Sequence, residues 1–336
     1  MNAPAATAHS TDRPRAGAGR VGRARVGALS LVVAAAVGLP WVADAYTVAL
    51  ASTAVVFAVL ALSTQLLVGV AGLPAFGQAA YLGIGAYTAA LLARAGVGDA
   101  LVQLAAATAA GAVAAAVTAP LVLRTRATAL LMTTFAVQSL TATGAAQWRS
   151  LTGGDDGLHT PPVKLPGVGA VTGAAGVYWY VLAVLLLAGA AVAVLLRSRL
   201  GLVLRGCAGH EPRMAALGHP VTAELATGYT SAGALAGGAG ALLVAVNRYV
   251  SPADMGFDVA ALSLLAAAIG AGTMTGAVAG AAVIVATRDL LGGMTSGHGV
   301  ALLGVLFLAV AYTRPLLRTA GTAATHRPGV LRRWWP

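Results

Sequence analysis

The chain has 336 residues, of which 58% are hydrophobic and only 9% charged, whereas an ordinary soluble domain carries about 25% charged residues; most of its surface is not made for water. The formal net charge of +11 is no nucleic-acid footprint, because the basic residues lie scattered between apolar runs and not on one soluble face. The single cysteine, Cys207, excludes an intramolecular disulfide.

Residues 1–25 are rich in Ala, Pro, Thr and Arg and read as a disordered basic cytoplasmic tail. An Arg-rich start before an apolar run also fits a signal-peptide n-region, but the run ends at Leu39-Pro40-Trp41 with no small-x-small cleavage site, which favours a retained first span. A bilayer core about 30 Å thick needs roughly 20 apolar residues per helix. Apolar runs between charged or Gly/Pro breaks predict ten spans, near 26–43, 46–70, 74–93, 99–123, 127–145, 177–196, 223–246, 257–270, 273–288 and 298–313. The eighth and ninth are short for full crossings and are expected to be tilted, broken or re-entrant. A transmembrane domain thus covers 26–313, and 314–336 forms a second basic cytoplasmic tail. With the N-terminus inside, sixteen of the 21 bases fall on the cytoplasmic side. They include Arg13 to Arg25, Arg124, Arg126, Arg197 to Arg213 and the arginines from Arg314 on. This asymmetry puts both termini in the cytoplasm and requires an even number of crossings. Two polar loops stand out. The external one, 147–176, holds Gly153, Gly154, Asp155, Asp156 and Gly157, then Pro161, Pro162 and Pro166; the internal one, 197–222, carries arginines and Glu211.

Several chemistries have no residues to support them. No G-x-x-x-x-G-K-[ST] loop exists, and Lys164, the single lysine, stands between Val163 and Leu165 where it cannot complete one. The six histidines are scattered, so no metal site is expected, and no span holds G-x-S-x-G. Ser63, Ser139, Ser231 and Ser263 read as helix-packing hydroxyls. Ionisable residues deep in a span are costly and usually functional. Here Asp44, Asp99, Asp258, Asp289 and Glu224 all fall near predicted span ends. A carrier coupled to protons or sodium needs a buried carboxylate, so the energy for any transport is expected from elsewhere.

The stretch QLLVGVAGLPAFGQAAYLGIGAYTAALLA at 65–93 concentrates Gly69, Gly72, Gly77, Gly83 and Gly85, residues that let helices approach closely or break. It resembles the LLxGxAGxxSxGHAAFxGIGAY signature of branched-chain amino acid ABC importer permeases, with Gln78 in place of the usual His and Ala75-Phe76 in place of Ser-Leu. Leu123-Arg124-Thr125-Arg126 is similar to that family's basic turn, and Thr152-Gly153-Gly154-Asp155-Asp156-Gly157-Leu158 to its TGGSDGL external loop. RGCAGHEPRMAALG at 205–218 resembles the family's coupling segment; Arg205, Glu211, Ala216, Leu217 and Gly218 match, while Ala208, Gly209, Pro212 and Arg213 do not. Pro212 keeps Glu211 out of α geometry unless a helix begins there. Tyr249 to Leu265 and Ile269 to Ala281 are similar to the family's VSPxxF and LGGxGTxxGPxxGA stretch, with Ala271 and Ala277 as departures.

The resemblance covers about two-thirds of the chain and implies an all-α polytopic transmembrane helix bundle of about ten spans, with short or broken helices near a pore, in a bacterial cell membrane. It implies a permease subunit of an ABC importer for branched-chain amino acids or a related small amino acid or amide. The chain would bind no cofactor of its own, ATP and Mg residing on partners. Those partners would be a homologous second permease, two cytoplasmic ABC ATPases and an extracytoplasmic solute-binding protein. The implied translocation residues are Gln65, Gly69, Gly72, Gln78, Tyr81, Gly83, Gly85, Tyr87, Gly270, Gly272 and Gly276. The implied ATPase-coupling residues are Arg205, Glu211, Ala216, Leu217 and Gly218. The rival readings are a stand-alone ion-coupled secondary transporter and a membrane-embedded enzyme or structural subunit.

Overall fold

The computed structural model describes residues 36–165, 169–171, 173–270 and 272–294. Both expected tails, the start of the first span, the tenth span, Pro166 and Ala271 lie outside the described residues. Residues 1–48 and 49–336 are separate units. In the first, 36–42 are helical (α1), and α2 begins at Ala45.

Helix α2 (Ala45–Gln65) runs on into a π-helical turn, Leu66–Ala71, and is followed by α3 (Gln78–Arg94), α4 (Ala100–Val122) and α5 (Thr128–Gln147). The expected external loop holds a one-turn helix α6 (Arg149–Thr152), a 3-10 turn at Gly154–Asp156, and strands β1 (Leu158–His159), β2 (Lys164–Leu165) and β3 (Gly169–Ala170). Then come α7 (Ala174–Arg197), α8 (Arg199–Ala216), α9 (Val221–Asn247), β4 (Tyr249–Val250), a 3-10 turn at Pro252–Met255, α10 (Phe257–Ile269) and α11 (Met274–Met294). The antiparallel pair β1·β4 sets Leu158 opposite Val250 and His159 opposite Tyr249, and β2 pairs antiparallel with β3.

This is an all-α bundle. Among the described residues, five stretches are long and apolar enough to cross a membrane: 45–71, α4, α5, α7 and α9. Helix α10, with 13 residues, is about 20 Å long at 1.5 Å per residue, short of the roughly 30 Å of a bilayer core. Helix α11 extends to Met294, beyond the expected end at 288. Arg288 is exposed on it, so a charge there does not stop the helix. Asp99 caps α4 by accepting from Leu101 N–H at 2.9 Å.

The internal polar stretch is also more ordered than its composition predicts. Gly201, Val203, Leu204 and Cys207 form one buried face of α8, an amphipathic pattern that the glycines and arginines around it disguise. The helix is kinked at His210 (φ −155°, ψ 90°). A second helical piece starts after it, so Pro212 sits in a first turn, where its missing N–H costs nothing.

The packing is inverted relative to a water-soluble protein. On α4 the buried face is Gln103, Ala107, Gly111, Ala115 and Ala119, one residue in four, while Val113, Val117 and Leu121 are exposed. With lipid tails as solvent, large side chains gain nothing by facing inward, and small ones let backbones close together. The result is a tight set of α3, α4 and α9. A Cβ at Gly85 would lie 2.2 Å from Gly237 O, and one at Gly111 would lie 2.5 Å from Gly233 O. Gly85→Ala is therefore expected to overpack this seam by about 1–3 kcal/mol and to lower the thermal midpoint of the protein in detergent. Gly144→Ala on α5, where a Cβ meets nothing within 4 Å, does not lower the midpoint, since alanine is the better helix former.

Candidate functional site

Three segments leave helical geometry between apolar helices, and each has its backbone satisfied by a side chain from a neighbouring helix. The first is 72–77. Gly72 adopts φ +70°, which lets its N–H cap Leu67 O, Leu73 N–H bonds the same carbonyl at 2.9 Å, and Phe76 N–H donates to Thr134 Oγ1 on α5 at 3.1 Å. The second is 249–256, where Gln138 Nε2 on α5 donates to Met255 O at 2.5 Å, and the Met255 side chain occupies the space a Cβ on Gly83 would need. The third is 270–273. Gln65 Nε2 donates to Ala267 O at 2.9 Å and Gln65 Oε1 accepts from Gly272 N–H at 3.3 Å. The Gln65 amide lies over Gly69, where a Cβ would come within 1.9 Å of its terminal atoms. Gly270 and Gly276 let the ends of α10 and α11 meet, a Cβ on Gly276 falling 2.4 Å from Gly270 O.

Beside these breaks lies a buried polar cluster. Ser63 Oγ stands 2.6 Å from Gln78 Oε1 and 2.7 Å from Ala232 O, and Gln78 Nε2 is buried without a partner. Tyr81 OH, on α3, lies 2.5 Å from Thr118 Oγ1 and 2.8 Å from Tyr229 OH, the two tyrosine rings meeting edge to face. Gln65, Gln78 and Tyr81 are wholly buried within the chain. Tyr87 belongs to a different cluster, with Ala145, Leu158, Val250 and Met255, and its hydroxyl has no partner. Phe76, Phe135 and Phe257 stack mutually, with centroids 5.6–6.5 Å apart, on the exposed side of the first break.

In the loop expected to be external, Gly153, Gly154 and Gly157 all have positive φ. Gly157 presses on β4, where a Cβ would lie 2.3 Å from Val250 O, and Tyr249 OH donates to Asp156 O at 3.1 Å. The glycines shape the turn, and the side chains of Asp155 and Asp156 point out to solvent.

The five residues implied in coupling are strung along α8 and its end. Arg205 is exposed before the kink, Glu211 follows it, Ala216 closes the helix, Leu217 is 68% exposed and Gly218 turns the chain at φ +86°. Helix α8 touches the first break directly: a Cβ on Gly72 would lie 3.1 Å from Ala208 Cα. Glu211 is held by Arg126 of the basic turn, with Nε donating to Oε2 at 2.8 Å and Nη2 to Oε1 at 2.5 Å. Both side chains are about a third exposed or more, so the pair contributes roughly 0.2–1 kcal/mol to stability at most. Between this pair and the first break lies a cavity of about 270 Å³, lined in part by Gly72, Pro74, Leu130, Cys207 and His210. Burial, helped by Glu211 and Glu224, pushes the Cys207 thiol up from its ordinary value.

Thr134, Gln138, Ser63, Thr118 and Tyr229 carry these networks without having been singled out as site residues from sequence. Their signal was an amide or hydroxyl within an otherwise apolar run. Residues 46–311 match the family model described as the permease component of branched-chain amino acid transport systems. No curated protein and no solved structure matches the chain.

Gln65→Leu and Gln138→Leu keep size but orphan buried backbone groups, so each is expected to cost about 1–3 kcal/mol in unfolding titrations in mixed micelles. Gln78→Leu, whose Nε2 has no partner to lose, costs less. Because the thiolate is the nucleophile, maleimide labelling of Cys207 should still be accelerating above roughly pH 9.5, where an unperturbed thiol has levelled off. Glu211→Gln moves that curve to lower pH.

Proposed function

The chain belongs to the permease-component family of branched-chain amino acid transport systems, and on that premise we propose that it is the membrane subunit of an ATP-driven importer for a branched-chain or related small amino acid or amide. It works in a bacterial cell membrane beside a homologous second permease, with two cytoplasmic ABC ATPases that carry ATP and Mg and an extracytoplasmic solute-binding protein. The observation that carries this reading is α8. Beyond its kink Pro212, Arg213, Ala215, Ala216 and Leu217 are exposed, an apolar and basic tip suited to a partner's cleft, while Ala208 before the kink abuts Gly72 at a break in the helix array.

A push on α8 therefore reaches backbone that is not locked in a helix. Such backbone reorients at lower cost than a continuous helix, and its movement would uncover the uncharged polar groups now buried around it, those of Gln65, Gln78 and Tyr81, which suit passage of a zwitterion without holding it. Beside the proposed path Gly270 and Gly276 let the ends of α10 and α11 meet, Gly69 and Gly83 leave room for the Gln65 and Met255 side chains, Gly85 holds α3 against α9, and Gly272 turns the chain at positive φ. Asp155 and Asp156, with Gly153, Gly154 and Gly157 shaping their turn, offer the binding protein an acidic outer edge.

Reconstituted in proteoliposomes with its ATPases and binding protein, the chain is expected to take up solute only with ATP. Gly72→Val, which puts a branched side chain at positive φ against Ala208, should lower uptake about tenfold, equivalent to ~1.4 kcal/mol. Uptake by the chain alone, following a proton or sodium gradient, would replace this reading with that of a secondary carrier.

A further inference from the structure

We propose that Arg126 is a positioning residue of the transport cycle: its ion pair with Glu211 is a strut through which movement of α8 is delivered to α5. This rests on the importer reading above and adds to it the route of the force.

The geometry of the pair is directional. Two N–H groups of one guanidinium meet the two oxygens of one carboxylate, a fork that fixes angle as well as distance. Arg126 is also tied to its own turn, since Nη1 donates to Leu123 O and to Thr125 O, the latter at 2.9 Å. A displacement of Glu211 therefore carries the α4–α5 turn with it. Packing between α8 and α5 does not offer an equal path, because behind the pair lies the cavity of about 270 Å³, and across a void the lining atoms have no contact to push against.

Downstream, α5 begins two residues after Arg126 and carries both Thr134 and Gln138. These close the first and second breaks, on Phe76 N–H and Met255 O. One helix thus links the strut to two of the three irregular segments. The same geometry assigns Glu211 a different job from the one its position in the motif implies. With both oxygens engaged inside the chain, it is not a free hook for the partner; the exposed Arg213 and Leu217 are left to be gripped, and Glu211 passes the motion inward.

The test uses the whole complex in proteoliposomes, reading ATP-driven uptake, ATP hydrolysis and co-purification of the ATPase. Arg126→Glu and Glu211→Arg are each expected to cut uptake at least about tenfold while the ATPase still co-purifies and hydrolyses ATP, and the double exchange R126E/E211R recovers most of the uptake. A double exchange as inactive as Glu211→Arg alone would mean that Glu211 acts on the partner, and unchanged uptake in both single variants would mean that no strut exists; either result overturns the proposal. A second measurement guards against misfolding: Arg126→Lys keeps the charge but not the two-pronged fork, so it is expected to hold the wild-type thermal midpoint in detergent while losing part of the uptake. Full uptake with Arg126→Lys overturns the proposal. A wild-type complex that shows no ATP-driven uptake rejects the importer reading itself, before any variant is compared.

Discussion

Backbone that leaves a helix inside a membrane domain must find its hydrogen-bond partners within the protein, because the surrounding lipid offers none. Each irregular segment described here meets that demand with a polar side chain reaching across from another helix: Thr134 to Phe76, Gln138 to Met255, and Gln65 to Ala267 and Gly272. The arrangement explains why uncharged amides and hydroxyls are buried in a chain otherwise given over to Ala, Leu, Val and Gly. They hold open the possibility of non-helical backbone without the cost of unpaired groups. It also explains the glycines beside them, since Gly69 makes room for the Gln65 amide and Gly83 for the Met255 side chain.

The remaining architecture divides into a stiff part and a compliant part. Helices α3, α4 and α9 close on one another through backbone contacts at Gly85, Gly111, Gly233 and Gly237, so they behave as one body. Around that body stand the π-helical turn after α2, the kinked α8, the short α10 and the cavity under the Arg126–Glu211 pair, each a place where contact density or helical regularity falls. A transporter needs this combination, because motion concentrates where packing is weakest, and the stiff seam keeps the fold while the surrounding pieces shift.

Much of this was legible in the sequence, for identifiable reasons. Apolar runs locate helices by solvent preference alone, so the runs at 46–70, 99–123 and 223–246 each fall on an observed helix to within a few residues. Glycine at 72, 153, 154 and 157 marks turns that require positive φ, and the chain leaves α-helical geometry at each of them. What stayed hidden depends on tertiary partners. The amphipathic face of α8 is thin, built from Val203, Leu204 and Cys207 among glycines and arginines, so composition made it look like a loop. Nothing in the basic turn, 85 residues before Glu211, announces that Arg126 bonds that carboxylate. Gln138 reads as an interruption of an apolar helix until Met255, far along the chain, supplies the carbonyl it serves. Asp155 illustrates the opposite case. The motif drew attention to its charge, yet in the structure it is the glycines around it that determine where the chain goes.

Because the path of the outer turn is written in Gly153, Gly154 and Gly157 and sealed by Tyr249 on the main-chain oxygen of Asp156, its trace owes nothing to the two carboxylates. Substitution at Asp155 and Asp156 can therefore retune the charge of this turn while its contour stays intact, because the backbone contacts that fix it involve neither side chain.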